Sequence, residues 1–160
     1  MSPARFPEKK CKRRCVCPRF GPAILRAQKG EQRYIMMKYV MVGIGGAVGS
    51  VLRFWVSSYL GERIGTRFPY GTFAVNITGS FLIGFIVTLL ASKANWDPNW
   101  RYLIPVGFIG GYTTFSAFEY ETLRSMQDGK ILVASLNVIL SVTLGFAAVW
   151  LGTAAGRSLE

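Results

Sequence analysis

Histidine is absent from all 160 residues. Its absence removes imidazole bases, imidazole metal ligands and every Ser-His or Cys-His nucleophile pair, and with them most hydrolytic chemistry. Cysteine is confined to Cys11, Cys15 and Cys17. With no fourth thiolate and no imidazole, one chain cannot close a tetrahedral zinc site. The Cys-x-Cys spacing beside Lys12, Arg13 and Arg14 suits a charge-activated redox pair, but the composition favours idle thiols on an unstructured basic segment. Charged residues are scarce, at 17% against 51% apolar, and the mean hydropathy is +0.30. That balance excludes an ordinary soluble domain and indicates a membrane protein. The little charge present is lopsided: residues 1–38 carry 11 of the 19 Lys+Arg but only 2 of the 8 Asp+Glu. The net charge of +11 is therefore mostly a property of the N-terminal segment.

Pro3, Pro7, Pro18 and Pro22 interrupt any long helix at the N-terminus. Ala23-Ile24-Leu25 is too short to be the apolar core of an export signal. The expectation is a basic, disordered extension over residues 1–36, with Met36 or Met37 as the natural start of the membrane part.

From Tyr39 to Leu60 the chain is apolar or small except for Arg53. At ~1.5 Å rise per residue this length crosses a hydrocarbon layer ~30 Å thick. Residues 72–91, 102–118 and 131–155 are likewise free of charge, with Glu119 and Glu121 following the third stretch. Polar and Gly/Pro-rich connectors separate them, and Tyr70, Trp96, Trp100 and Tyr102 stand at span ends, where amphipathic rings favour the headgroup level. The predicted fold is an all-α membrane domain over residues 37–156. Its four transmembrane helices run at about 39–60, 72–91, 102–125 and 131–155, the third broken near 110–114.

Small residues recur four apart at Gly45/Gly49, Gly46/Ser50, Ser80/Gly84, Gly107/Gly111 and Gly152/Gly156. In lipid such spacing lets backbones approach closely, within one subunit or between two. From Lys38 onward, Lys38, Lys93, Arg101 and Arg157 fall on one side of the predicted spans and Arg63, Arg67, Arg124 and Lys130 on the other. Four against four sets no preferred orientation, as insertion both ways round requires. The basic extension, where present, biases the N-terminus toward the cytoplasm.

Several polar residues stand where lipid excludes them. Arg53 in the first span costs a few kcal/mol on insertion scales unless it faces protein or water, or snorkels. Asn76 and Thr78 interrupt the second span; Asn137 and Ser141 share a face of the fourth. Hydroxyls can bond back to their own helix, but an Asn amide needs an interhelical partner or a wet cavity. The densest signal is Gly110-Gly111-Tyr112-Thr113-Thr114-Phe115-Ser116-Ala117-Phe118 in the third span. Two glycines followed by two β-branched residues make poor helix, and a mid-membrane break is tolerated only where freed backbone groups meet protein, ions or water. Phe115 and Phe118, three apart, share a helix face just beyond it.

This Gly-Gly-x-Thr-Thr-Phe-Ser-x-Phe run resembles the signature of the CrcB/Fluc fluoride channels. Gly45-Gly46-x-x-Gly49-x-x-x-Arg53, Gly71-Thr72-Phe73-x-x-Asn76-x-x-Gly79-Ser80, and Ser141 with Gly145 and Gly152 are similar to the family's other spans, in order. The resemblance covers about residues 37 to 156. It implies an antiparallel, dual-topology homodimer in the inner cell membrane, with two fluoride pathways along the subunit interface. It further implies a structural sodium ion held by the backbone carbonyls of Gly110 and Thr113 from each subunit. Carried onto this chain, the aromatic pore pair is Phe115 and Phe118, the second-span polar group is Asn76 and the fourth-span hydroxyl is Ser141. Asn137 stands where some members carry Tyr. Glu119 replaces a small hydroxyl residue common in the family, and Glu121 matches a family carboxylate.

These residue types suit a small, strongly hydrated anion. The amide of Asn76 and the hydroxyls of Thr114, Ser116 and Ser141 replace water's donors. The rims of Phe115 and Phe118 are electropositive, and Arg53 and a buried sodium raise the potential along the path. Nothing in this scheme requires a proton, nucleotide or organic cofactor. A proton-coupled small multidrug exporter, the nearest rival, needs a carboxylate in its first span, and Tyr39–Leu60 has none. A non-transporting scaffold subunit would use the small-residue faces but leave the third-span break without purpose. An enzyme lacks any nucleophile-base pair in the spans.

Overall fold

A computed structural model describes residues 22–92, 97 and 99–159, with side chains from residue 31 onward. Cys11, Cys15, Cys17, Lys93 and Trp96 lie outside the described residues. The chain divides into two units, Met1–Arg33 and Tyr34–Glu160. The described part of the first unit is helical from Pro22, so residues 22–36 are helix where a disordered extension is expected. Pro22 occupies the first helical position, where its missing N–H and fixed φ cost nothing, and strong helix formers such as Ala23, Leu25, Arg26 and Gln28 follow.

The described elements are α1 (Pro22–Ile64), α2 (Tyr70–Ser92), a π-helical segment (Tyr102–Ile109) running on into the single turn α3 (Gly110–Tyr112), α4 (Phe115–Gln127) and α5 (Ile131–Arg157). Among the described residues three stretches are long and apolar enough to cross a membrane: Glu31–Ile64, Tyr70–Ser92 and Ile131–Arg157. The third predicted span is absent from this set because it is broken into short pieces. Pro105 removes a helical N–H and crowds the preceding turn, and the chain there winds in the wider π form. Tyr112 ends the next turn, and Thr113 (φ −79°, ψ 154°) and Thr114 (φ −148°, ψ 122°) are extended.

The break thus falls on the two threonines, two to three residues beyond the glycines. Gly110 itself is helical, at φ −61° and ψ −37°. Gly111 serves close approach instead: a Cβ on it would lie 2.6 Å from the Gly46 carbonyl oxygen and 2.9 Å from Gly46 Cα. The other small-residue pairs work in the same way inside one subunit. Gly45 and Gly49 pack on the backbone of residues 103–112, and Gly107 on Val42 and Gly45. Gly84 meets Val149 and Thr153, and Gly152 meets Phe81 and Phe85. Glycine spacing therefore clamps α1 to the third span and α2 to α5. Many large side chains, among them Phe54, Phe146 and Trp150, point away from the core, as in a helix assembly whose outer faces meet lipid or another chain. Lys38 sits over the rings of Tyr34 (4.1 Å) and Tyr102 (5.1 Å), tying the interior of α1 to the start of the third span.

Candidate functional site

The extended Thr113-Thr114 pair leaves backbone groups that a continuous helix would satisfy, and α2 supplies the missing partner. Asn76 Nδ2 donates to the Thr114 carbonyl at 2.9 Å, while Asn76 Oδ1 accepts from the Thr114 N–H at 2.9 Å. Thr114 also caps the next helix, its Oγ1 accepting from the Ala117 N–H at 3.3 Å. Both contacts redirect donors. In an unbroken helix the Thr114 N–H would bond Gly110 O, and the Ala117 N–H would bond Thr113 O. The carbonyls of Gly110 and Thr113 therefore lose their ordinary i+4 donors and become available to an oxygen-seeking cation.

Beside the break lies a groove of ≈ 410 Å³, lined by residues that include Asn76, Ser80, Pro105, Gly110, Thr113, Thr114, Phe115, Phe118 and Ser141. Five residues expected on the anion path (Asn76, Thr114, Phe115, Phe118 and Ser141) thus share one groove with the two carbonyl-bearing residues. The rings of Phe115 and Phe118 lie 5.7 Å apart, tilted by 36°. Phe115 is 71% exposed, so one wall of the groove is open in the isolated chain. The N-terminal end of α4, with its positive partial charge, opens at Phe115 beside the same groove.

The remaining expected residues are placed differently. Ser116 is exposed next to the groove, its Oγ 3.4 Å from Thr114 Oγ1. Arg53 faces protein: its Nε donates to the Gly111 carbonyl at 3.3 Å, which also accepts from Ser50 Oγ at 3.4 Å. Asn137 is buried, at 2% exposure, behind the groove between α5 and α4; its Nδ2 donates to Thr122 Oγ1 at 2.8 Å and its Oδ1 accepts from Ser141 Oγ at 3.4 Å. Thr78 bonds back to Ala74 O at 2.7 Å and lies 3.0 Å from the hydroxyl of buried Tyr112.

Two hydroxyls of the site were given no role from the sequence, Thr72 standing there only as a motif residue. Thr122, one turn beyond Phe118, donates to the Phe118 carbonyl at 2.7 Å while accepting from Asn137. Thr72, one turn before Asn76, donates to Glu121 Oε1 at 2.8 Å; Glu121 Oε2 is buried without a hydrogen-bond partner. The available signal was spacing: each lies four residues from a residue already singled out, on the same helix face.

Fold and groove together define a multi-pass α-helical membrane protein with a polar groove beside a broken helix. A family model described as CrcB-like protein, Camphor Resistance (CrcB), matches residues 40–153. The chain belongs to this family. It is 53% identical over 123 residues to the fluoride-specific ion channel FluC of Acidobacterium capsulatum, covering 77% of this chain and 98% of that protein. It is 46% identical over 121 residues to the fluoride-specific ion channel FluC of Solibacter usitatus, covering 76% and 99%. The like-named protein of Geotalea daltonii is 45% identical over 122 residues, covering 76% and 98%. These relatives are ion channels by name, not enzymes.

Proposed function

We propose that this protein is a fluoride-selective passive channel that exports fluoride across the inner cell membrane and so relieves fluoride toxicity. The observation that carries the reading is the convergence of Asn76, Thr114, Phe115, Phe118 and Ser141 on one groove in a chain whose near full-length relatives are fluoride-specific channels. Fluoride loses tightly held water on leaving solution, so a path must offer donors without a deep well. Ser141 and Thr114 supply hydroxyls, and Asn76 keeps one amide hydrogen beyond the one given to Thr114. Phe115 and Phe118 add electropositive rims that attract the anion weakly enough to release it. Arg53, tied to Gly111 behind the break, raises the local potential without touching the groove.

In this reading the chain crosses the membrane four times, the third crossing being the broken one, and the channel is an antiparallel homodimer. Two features support the pairing. The four-against-four distribution of Lys and Arg lets a chain starting near Met37 insert both ways round, and 71%-exposed Phe115 leaves the groove with a wall that a second copy would complete. The carbonyls of Gly110 and Thr113, deprived of their helical donors, fit a hard cation such as sodium as oxygen ligands, with a like pair from the second copy. Bound there, the ion supplies positive charge at the dimer centre. The experiment is a liposome flux assay comparing fluoride with chloride, with and without a proton gradient. Fluoride flux far above chloride and indifferent to the proton gradient is expected; equal anion rates, or strict dependence on the gradient, would overturn the proposal.

A further inference from the structure

Phe118 and Ser141 come from different helices and both line the groove. Behind them stand Thr122, one turn after Phe118, and Asn137, one turn before Ser141, which are 9% and 2% exposed and outside the groove's lining. Hydrogen bonds run through all four. The hydroxyl of Thr122 has a single hydrogen, given to the Phe118 carbonyl at 2.7 Å, so toward Asn137 Thr122 is an acceptor. Asn137 must therefore present Nδ2 to Thr122, at 2.8 Å, which turns its Oδ1 toward the Ser141 hydroxyl at 3.4 Å. The series is directional: Ser141 O–H to Asn137 C=O, Asn137 N–H to Thr122 O, Thr122 O–H to Phe118 C=O. Reversing one member leaves a buried donor facing a donor or an acceptor facing an acceptor.

We propose that Asn137 and Thr122 are positioning residues for the pathway, fixing the register of α4 against α5 so that the Phe118 ring and the Ser141 hydroxyl face each other across the groove. This rests on the fluoride-channel reading and removes Asn137 from the ion path itself. Apolar packing constrains the register less sharply, because volume-conserving contacts can repack, whereas a buried hydrogen-bonded amide accepts one geometry. Sliding α4 by a fraction of a turn moves Phe118 and leaves the glycine-clamped pair α2 and α5 in place. The amide–hydroxyl link thus converts burial into a fixed distance between two groove residues.

The test reconstitutes the full chain in liposomes and reads fluoride efflux per folded channel, the fluoride-to-chloride ratio, and the thermal unfolding midpoint in detergent. Thr122→Val and Asn137→Leu are near-isosteric and break the link from either end. Each is expected to lower fluoride efflux about tenfold, and the double variant is expected to lose no more than either alone, as residues in one network do. Thr122→Ser keeps the hydroxyl and should run within about twofold of the parent chain. If Thr122→Val does not fold, Thr122→Cys, small and with only a weak donor, carries the same expectation. A folded Thr122→Val or Thr122→Cys with parental efflux overturns the proposal. So do multiplicative losses in the double variant, or midpoints that fall while efflux per folded channel holds. A parent chain that passes no fluoride overturns the channel reading instead, and the two failures are separable on the first measurement.

Discussion

Asn76 holds Thr114 by both of its backbone groups, at 2.9 Å to the carbonyl and 2.9 Å to the N–H. A side-chain amide here takes the place of a neighbouring β-strand, pairing an extended residue that lipid would otherwise leave unsatisfied. The break in the third span and the polar residue in the second are therefore one feature built from two segments. Asn76 satisfies both backbone groups that the break leaves open at Thr114.

Asn76→Asp separates these roles from simple polarity. An ionised carboxylate still accepts from the Thr114 N–H but has no hydrogen for the Thr114 carbonyl, and it sets a negative charge against an anion path. The expected result is a loss of stability of about 1–3 kcal/mol and a fall in fluoride flux greater than tenfold. Thermal unfolding in detergent and liposome efflux read the two losses separately.

Phe115→Ile and Phe118→Ile keep apolar bulk and remove the electropositive ring edge. Because Phe115 is 71% exposed, its replacement should leave the unfolding midpoint of the chain nearly unchanged. Flux is expected to fall by at least about tenfold in each. Full flux from a folded Phe118→Ile, Asn76→Asp double variant would exclude the groove as the pathway.

Glycine substitutions should divide sharply by position. A Cβ on Gly49 would collide with the Phe108 carbonyl oxygen, whereas one on Gly43 meets nothing within 4 Å. Gly49→Ala is expected to cost more than about 2 kcal/mol, since backbone cannot give way as a flexible side chain can. Gly43→Ala should be neutral or slightly stabilising, by less than about 1 kcal/mol, through helix propensity. Comparable unfolding midpoints for the two variants would contradict the clamp between α1 and the third span.

The uncharged stretches of the second and fourth spans sufficed to place α2 and α5 within a few residues, because length and lack of charge decide membrane helices. The third span was legible as broken near 110–114, and the extended pair Thr113-Thr114 falls inside that range. Propensity marks Gly110 and Gly111 as the weak point, yet both are helical, Gly111 packed on Gly46, and the chain is extended only at Thr113-Thr114. Asn76, which lines the groove, was legible because an amide in lipid needs a partner, whereas Ser141 was singled out through the family resemblance. Asn137 carried the same signal and lies behind the groove, since sequence alone does not tell a buried interhelical amide from one that lines a path. The helical start at Pro22 was hidden by reading proline as a breaker when it stood at a first turn.

The balance of Lys and Arg leads to a topology experiment that the cysteine distribution makes clean. All three cysteines lie within residues 1–36, so a chain starting at Met37 has none, and one cysteine introduced at exposed Ser158 is then the sole thiol. With four basic residues on either side of the spans, such chains should insert both ways, and a membrane-impermeant maleimide should label about half of them from outside. The full chain, with 11 Lys+Arg in residues 1–38, should instead shift toward a cytoplasmic N-terminus, read with Ser158→Cys in a form whose native cysteines are changed to Ser. Fluoride flux of the shortened chain should be no lower than that of the full one, because the family match begins only at residue 40. Labelling of every shortened chain from one face would eliminate the antiparallel homodimer, and the groove would then need some other wall beside Phe115.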